Sequence, residues 1–522
     1  MKTINKFFGY AVVAGSVVLA GCSDDFLQKN SLTAVSSETF WQSETDALNG
    51  LAACYDALQN IDLYNASPWH NGIFYWDCMT DNGGHFNWSG WMEGYEITNG
   101  IHSSSSWCVG DLWSASYEAI KRCNTLIGNM DRCGLDEATT KVYQAEAQVI
   151  RALMYTNLTM TFNDVPYLTE VQSLTDAEAP KMSREEIVPL VVADLKSAAA
   201  ALPTDATRGH VTKGAALAAL GRIALYNEMW SEAIDAYTQI INLGKYSLFS
   251  DYSTLFTEEN EGCDEVIFAV RYEGPGASEG ATFTAHWNTP LEAVNGTIDF
   301  ADAFYYTDGT PCKDDKIFND GFDLWNLNTA RYDNRDPRLY TTLFTPGHSN
   351  WNGKTGLYGG AAASYSTIYV NKYYNSYDTS NSWDSGQDFY VFRYAEVLLG
   401  LAEAYIEADQ NLFGAIELIN QVRDRVGMPH VEDVEKTTSQ SALRDIVRHE
   451  RRVELGFEGL RLFDLYRWHL LKDAVDRINN EASKYELWYE YRNYRGECEY
   501  EWPLPQSEID CNSQLVQNPL WQ

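Results

Sequence analysis

The sequence from His449 to Trp468 reads His-Glu-Arg-Arg-Val-Glu-Leu-Gly-Phe-Glu-Gly-Leu-Arg-Leu-Phe-Asp-Leu-Tyr-Arg-Trp. Charged and apolar residues alternate densely along it. In an isolated helix this density of charge predicts an exposed face carrying salt bridges. We assign five of its charged residues to a structural ion network or, as the alternative, to an interface with a partner protein. These residues are Arg451, Glu454, Glu458, Arg461 and Asp464.

Upstream of this stretch, two pairs of segments have the apolar spacing of helical hairpins. The first pair covers 215–226 and 231–243, and the second covers 392–408 and 412–425. Small residues stand where the paired helices would cross, with larger residues alongside, as in tetratricopeptide repeats. The match to the full repeat pattern is loose, because the spacing from glycine to tyrosine differs. We expect a mainly α fold on a tetratricopeptide-like scaffold. Further helices are predicted from about Ser37, over 113–127, over 141–162 and over 184–202.

Two long regions lack any sustained helical period. Residues 69–107 and 273–388 are rich in Gly, Asn, Ser and aromatic residues, and a strand is predicted just before the second region, over 265–272. Ten of the 16 tryptophans lie in 69–113 and 287–383. Irregular segments also need aromatic residues simply to bury themselves. As a set, however, these tryptophans predict a surface lined by aromatic faces.

Such a surface suits sugars. The apolar C–H face of a sugar ring stacks on an indole, while its hydroxyl groups need paired donors and acceptors. Asp81, Asn82 and Asn288 are candidates for the hydroxyl groups. Nucleobases would stack as well, but the charge of the chain argues against their phosphates.

The chain carries 73 acidic against 38 basic residues, a formal net charge of -35. This excess repels the phosphates of nucleic acids and anionic lipid head groups. With 45% hydrophobic and 21% charged residues, the composition is that of a globular protein. No nucleophile elbow, phosphate loop or histidine spacing for a metal is present. Paired carboxylates for glycoside cleavage stay open, because only geometry distinguishes them among so many acids.

The first residues have the layout of a secretory signal. Lys2 and Lys6 precede an uncharged run that ends in Leu-Ala-Gly before Cys22, as in a bacterial lipoprotein leader. We therefore expect residues 1–21 to be removed, Cys22 to carry lipid, and 22–37 to form a tether. Within the tether, the hydrophobic pair Phe26-Leu27 is expected to dock on the body. Of the nine other cysteines most are predicted to be buried thiols, and the pairs 123/133 and 498/511 are open as disulfides.

Several further segments occur in a characteristic order: Cys22 to Leu27, Glu146 to Arg151, Phe162 to Pro166, Asn334 to Leu339, Phe392 to Leu399 with Ala402 to Ala404, Ile419 to Arg423, Pro503 to Pro505 and Gln517 to Pro519. Together with 449–468 they resemble the RagB/SusD family of outer-membrane nutrient-binding lipoproteins, along nearly the whole mature chain. The departures are small, such as Leu504 between the two prolines.

The resemblance implies a SusD-like body of residues 38–522, with an N-terminal part 38–260, a C-terminal part 261–522, few short strands and long irregular ligand loops. It implies a lipid-anchored protein on the cell surface that holds glycan over a SusC-like TonB-dependent outer-membrane transporter without cleaving it. No catalytic residue, metal or cofactor is expected. By position in the loops, the candidate ligand-binding aromatics are Trp88, Trp91, Trp287, Trp325 and Trp351. The alternatives are a surface glycoside hydrolase and a scaffold or adhesin that binds no sugar.

Overall fold

A computed structural model of the protein describes residues 40–65, 70, 72–85, 94–172, 178–277, 279–283, 294–313, 316–319, 327–348, 350–351, 354–355, 368–373, 384–485 and 491–522. Helices dominate this part of the chain. They are α1 (Glu44–Asp56), α2 (Gly94–Thr98), α3 (Trp107–Asn129), α4 (Glu137–Phe162), α5 (Arg184–Ala201), α6 (Lys213–Tyr226), α7 (Trp230–Asn242), α8 (Ile298–Ala303), α9 (Arg338–Thr342), α10 (Tyr394–Glu407), α11 (Leu412–Arg425), α12 (Val431–Val434), α13 (Gln440–Leu455), α14 (Arg461–Arg467), α15 (Leu471–Lys484) and α16 (Gln506–Cys511).

The strands are short. They are β1 (Gly83–His85), β2 (Val266–Val270), β3 (Val294–Gly296), β4 (Leu343–Phe344), β5 (Asn350–Trp351), β6 (Lys354–Thr355), β7 (Tyr369–Val370) and β8 (Phe389–Arg393). β1, β3, β7 and β4 form one sheet in that order, β2 pairs with β8, and β5 pairs with β6. All of these pairs are antiparallel.

Local sequence signals set the ends of the longest helices. Ser183 and Glu186 form a capping box at the start of α5, and the helix stops just before Pro203, which cannot continue it. The carboxylate of Asp136 accepts two backbone N–H groups at the start of α4. The predicted bounds of the helices after residue 140 therefore agree with the observed ones to within a few residues.

The predicted crossing of small residues in the helical pairs is confirmed. The ring of Tyr237 on α7 lies between Gly221 of α6 and Gly400 of α10. A Cβ added to Gly221 would lie 2.4 Å from this ring, and one added to Gly400 would lie 2.7 Å from it. Only glycine leaves room for the ring on both sides, so these two glycines let the helical pairs pack closely around Tyr237.

The stretch His449–Trp468 folds as the end of α13, a turn, and α14. The exposed face expected for an isolated helix is wrong here. Each of the five charged residues that we assigned to a network has at most 7% of its surface exposed. Their partners belong to the same chain, which confirms the structural ion network and leaves no room for a partner protein at these side chains.

The first helix, the strand before the second aromatic region and the cysteines can also be compared with their predictions. The first described helix starts at Glu44, and the predicted start near Ser37 lies in the part that is not described. The predicted strand 265–272 is shorter, Val266–Val270. The nine cysteines of the described residues are free thiols, five of them buried, so neither 123/133 nor 498/511 forms a bridge. Within the described ranges, no helix combines the length and the apolar character needed to cross a bilayer.

Candidate ligand-binding site

The four-stranded sheet is the base from which the aromatic loops leave the body. In the register of β1 and β3, His85 at the end of β1 is paired with Val294 at the start of β3. The loop 86–93 therefore leaves the sheet beside the point where the loop 284–293 returns to it. These loops contain Trp88, Trp91 and Trp287. The register thus brings the stems of the first aromatic loop and the start of the second aromatic region to one end of the sheet.

The remaining aromatic candidates start from the opposite end. β4 ends at Phe344, which is paired with Tyr369. The residue before Tyr369, Ile368, accepts a hydrogen bond from Gly296 at the far end of β3. The chain therefore leaves β4 toward that far end. From Phe344 the chain turns at Gly347 and reaches Trp351 in β5. Gly347 is so close to Thr329 that an added Cβ would lie 2.8 Å from that side chain.

Thr329 belongs to the stem of another hairpin. Phe318 and Leu327 are bridged as antiparallel neighbours on either side of residues 320–326, which include Trp325. The stem that leads to Trp325 therefore lies against the turn that leads to Trp351. Two groups of loop stems result, one at each end of a sheet whose strands are only two or three residues long. At about 3.3 Å per residue, the two ends are roughly 10 Å apart.

The side chains of the aromatic candidates are not part of the structural description. Trp88, Trp91, Trp287 and Trp325 lie outside the described residues, as does Asn288, and of Trp351 only the backbone is described. Their assignment to the ligand stays a prediction. The stems determine only where each loop begins and ends.

Asp81 and Asn82, the polar candidates, are fully buried just before β1. Two parallel hydrogen bonds of 2.9 and 2.8 Å join Arg461 to the Asp81 carboxylate. Arg452 lies 3.3 Å from the same carboxylate, and Arg477 also contacts it. The Asn82 side chain donates to Asp77 at 2.7 Å and accepts from Arg452 at 2.9 Å. Both side chains have protein partners, so in this structure they hold the base of the loop that follows.

Asp77 ties the same segment to the turn of the 449–468 stretch. Its carboxylate accepts the backbone N–H of Phe457 at 2.9 Å and that of Gly459 at 3.0 Å. Phe457 has a φ of 60° and Gly459 a φ of 77°, so the turn is left-handed at both residues. A left-handed bulky residue is strained by about 1–3 kcal/mol and persists only where its surroundings hold it. The Asp77 carboxylate supplies two of the bonds that do so.

The electrostatics differ sharply between these two neighbouring acids. Burial alone would raise the pKa of Asp81, but Arg452 and Arg461 hold it well below its ordinary value. Burial raises the pKa of Asp77 to about 6, and the backbone and amide groups that donate to its carboxylate offset this rise only in part. Asp81 is thus a permanent charge in an ion cluster, whereas Asp77 is a hydrogen-bond acceptor that titrates close to neutral pH.

A larger buried ion cluster lies behind this base. Arg393 at the end of β8 contacts Glu458 at 2.7 Å, Glu454 at 2.6 Å and Glu265 at 2.8 Å. Burial would raise the pKa of Glu454, but Arg425 and Arg393 lower it well below its ordinary value. The cluster therefore stays ionised and joins α13, its following turn and the β2–β8 sheet into one unit. Its remaining members include Arg338, Asp336, Glu450, Arg423, Arg425 and Lys372.

Sequence reasoning missed some of the residues that hold the loop base. Asp77, Arg477 and Arg492 were not candidates, although Arg492 donates to the carbonyl oxygens of Thr80 and Gly83 at 2.5 and 2.6 Å. These contacts join positions roughly 400 residues apart in the chain, and no local pattern marks them. The one available signal was the charge density of the 449–468 stretch.

The carboxylates with raised pKa that are most relevant to the hydrolase alternative are Glu261 and Asp388. Burial raises the pKa of Glu261 and the adjacent Asp388 raises it further, to about 8. Both carboxylates accept hydrogen bonds from the same nitrogen of Arg208, at 2.8 and 3.0 Å, and Glu261 also accepts the backbone N–H of Asp388 at 2.6 Å. Glycosidases keep their two carboxyl groups about 5–9.5 Å apart to admit the sugar or a water. This pair leaves no such gap.

One group of side chains brings three potential metal ligands together. Asp62, His70 and Asp111 offer atoms that all lie within 4.8 Å of one another. Asp62 and His70 are already joined by a hydrogen bond of 3.1 Å. The three residues are eight or more positions apart in the sequence, so their spacing does not match a metal-binding motif. All three side chains are partly exposed, and such groups are common without any ion.

Several known proteins have sequences similar to this chain, and many solved structures share its fold. Residues 264–521 match the SusD family, and residues 25–225 match the SusD-like family described as starch-binding and associating with the outer membrane. A SusD-like protein of Formosa agariphila is 25% identical over 517 residues, covering 95% of this chain and 95% of that protein.

Solved structures agree with these matches. A SusD-like carbohydrate-binding protein of Bacteroides fragilis superposes with a TM-score of 0.76 at 26% identity, over 92% of this chain and 100% of that one. A laminarin-binding SusD-like protein superposes with a TM-score of 0.68 at 22% identity, over 92% of this chain and 100% of the other. The mainly helical, SusD-like fold expected from the sequence is confirmed. The two family matches together span most of the sequence, and the chain belongs to the SusD family.

Proposed function

We propose that this protein is a surface lipoprotein that captures an oligo- or polysaccharide and delivers it to a TonB-dependent transporter in the outer membrane. In this proposal, residues 1–21 are the leader, Cys22 carries the lipid, 22–37 are the tether and 38–522 are one binding body. The family match to starch-binding proteins that associate with the outer membrane supports the ligand class and the location.

The observation that carries the proposal is the register of the four-stranded sheet. Because His85 is paired with Val294, the stems of the loops with Trp88, Trp91 and Trp287 are neighbours. Neighbouring stems allow the indoles of these loops to stack on adjacent sugar rings of one glycan. Trp325 and Trp351 start from the other end, roughly 10 Å away by strand length. A glycan of several sugar units would reach both groups.

Asp81 and Asn82 have a supporting part in this proposal. Both are buried and bonded to arginines or to Asp77, so they position the loop that begins at residue 86. A ligand loop on a fixed base loses less conformational entropy when it binds, which favours affinity. The buried ion clusters of the 449–468 stretch supply that fixed base.

Glycan affinity of single variants tests the assignment. Trp88→Ala, Trp287→Ala and Trp325→Ala should each weaken binding by about tenfold or more, as expected for the loss of one stacking face worth about 1.4 kcal/mol. Trp107→Ala is the matched control, because Trp107 is 76% exposed and lies outside these loops. Unchanged affinity in all three variants would remove the aromatic loops from the site and favour the scaffold or adhesin.

The hydrolase alternative is tested with the same protein. Purified protein incubated with laminarin, starch and other polysaccharides should release no reducing ends over time. Steady release that survives repurification would overturn binding without cleavage. The anchor is tested by Cys22→Ser, which should move the protein out of the membrane fraction, and the partner by whether a TonB-dependent barrel co-purifies with the wild-type chain.

A further inference from the structure

An open groove with apolar walls runs beside the first described helix. It has a volume of about 690 Å³ and lies between α1 and β2. Leu48, Leu51 and Ala52 line one wall, and Phe268 and Ala269 line the other. Leu48 is 41% exposed, which is unusual for a leucine on a helix that packs against the body. Among the described strands, β2 pairs only with β8, and three of its residues, Phe268 to Val270, line the groove.

Positive charge flanks the apolar walls. Arg208, His210 and Arg271 line the groove, and so do two acids, Asp56 and Glu279. Asp56 is already paired with Arg122. The side chains of Arg208 and Arg271 are each 48% exposed, although both contact Asp388. Each guanidinium has five N–H donors, so both retain capacity for a further acidic partner.

We propose that the groove is occupied by the chain's own tether, with Phe26 and Leu27 packed between α1 and β2 and with Asp24 and Asp25 next to Arg208 and Arg271. The sequence Cys-Ser-Asp-Asp-Phe-Leu at 22–27 places two acids directly before two large apolar side chains. The two apolar side chains suit the apolar walls of the groove, and the two acids suit its basic residues.

The length of the tether permits this docking. Twelve residues separate Leu27 from Phe40, the first described residue. Extended, they span up to roughly 43 Å, whereas α1 from Glu44 to Tyr55 is about 17 Å long. The pair can therefore reach any point along the groove, and it can equally reach other exposed apolar side chains of the body.

Docking would shorten the distance between the membrane and the body. This consequence rests on the proposed lipid at Cys22. Only residues 22–25 would separate the lipid from the body, a span of roughly 13 Å. The face with α1 and β2 would lie against the membrane, and the protein would have a fixed side toward it. If the tether stays undocked, all of residues 22–37 would separate the lipid from the body.

Disulfide trapping in the mature chain tests the docking directly. Leu27→Cys is combined with Leu48→Cys on the groove wall or, as the matched control, with Leu190→Cys on α5; these leucines are 41% and 43% exposed. All variants also carry Cys22→Ser and Cys511→Ser, which remove the proposed lipid site and the exposed thiol. We expect the groove pair to form its disulfide at least tenfold faster, as read by mass spectrometry of the linked peptides. Equal rates for the two pairs would overturn the proposal.

Two substitutions separate docking from mere proximity. Phe26→Ser and Arg271→Glu should each slow trapping at Leu48→Cys severalfold, because they remove the apolar anchor and reverse the basic flank. Lys196→Glu is the control for charge, since Lys196 is 50% exposed and does not line the groove. If both substitutions leave the rate unchanged, the proposal is wrong.

The docking and the proposed function are tested independently, because neither trapping experiment uses glycan or membrane. A negative trapping result would leave the proposed glycan binding standing, and a loss of glycan binding would leave the docking standing.

Discussion

Arg461 holds Asp81 through two parallel hydrogen bonds although 380 residues separate them in the chain. This contact joins the 449–468 stretch to the segment from which the first aromatic loop leaves the body. Bidentate pairs of guanidinium and carboxylate fix orientation as well as distance. The most charged part of the C-terminal region therefore serves to hold the N-terminal side of the candidate site.

Removing the Asp81 carboxylate should destabilise the protein strongly. Asp81→Ala leaves Arg461 and Arg452 buried without their shared partner, and breaking a buried pair in this way costs about 3–5 kcal/mol. The free energy of unfolding from guanidinium denaturation measures the loss. Asp476→Ala is the matched control, because Asp476 forms an exposed pair with Lys472 and should leave the denaturation midpoint unchanged. Equal effects of the two variants would show that the buried cluster is not a structural base.

The left-handed turn after α13 should tolerate no side chain at Gly459. A Cβ there would lie 2.4 Å from the Cγ2 atom and 2.6 Å from the carbonyl oxygen of Ile73. Gly427 has a similar φ, 72° against 77°, but nothing lies within 4 Å of an added Cβ. Gly427→Ala should therefore lose about 1–2 kcal/mol for the left-handed conformation alone, and Gly459→Ala about 1–3 kcal/mol more for overpacking. Chemical denaturation of the two variants, compared side by side, checks this; a smaller loss at Gly459 would mean that the Asp77 contacts can shift without cost.

The helical scaffold was predictable because its signals are local. The segment 412–425 was predicted with the observed bounds, and Pro203 marked the end of α5 correctly. The family resemblance supplied the rest of the fold class. The burial of Glu454 and Asp464 was not predictable from periodicity, because a helix with alternating charges has the same pattern whether its partners are water or buried arginines. The pairing of those charges depends on Arg393 for Glu454 and on Arg451 for Asp464, which only the tertiary structure brings into contact.

The candidate site was less accessible to sequence reasoning. Tryptophan density located the loops, but it did not show that His85 and Val294 are paired, since three-residue strands with Gly and Asn have no distinctive pattern. Asp81 and Asn82 are candidates from the sequence because they are polar and lie next to an aromatic loop. Their burial follows from arginines at 452 and 461, far along the chain.

The shared stem of two loops predicts coupling between their tryptophans. The loops with Trp88 and Trp287 meet the sheet at the paired residues His85 and Val294, so both side chains should act on the same or adjacent sugar units. The double variant Trp88→Ala/Trp287→Ala should then deviate from additivity by about 0.5–3 kcal/mol in glycan affinity. Trp88→Ala/Trp325→Ala is the control pair, because the Trp325 stem lies at the other end, and its effects should add within about 0.5 kcal/mol. Titration calorimetry with one oligosaccharide of defined length measures both cycles. Additivity in the first pair would place the two loops on separate ligands.

Stability should fall as pH rises from about 4.5 to about 8 because of Glu261. Burial and then Asp388 raise its pKa from 4.5 to about 8, so in this range the folded chain keeps a proton that the unfolded chain releases. Stability decreases with pH wherever the folded state binds more protons.

The variant Glu261→Gln tests this. Its side chain no longer titrates, but it retains an oxygen that can accept the backbone N–H of Asp388. The melting temperature of the variant should therefore fall less between pH 5 and pH 8 than that of the wild type. Glu118→Gln, at a glutamate whose side chain is 46% exposed, is the control and should follow the wild type. Asp77, whose burial raises its pKa to about 6, contributes in the same direction and should leave a residual slope in Glu261→Gln. An identical pH dependence of Glu261→Gln and the wild type would show that the pair with Asp388 carries no shared proton at neutral pH.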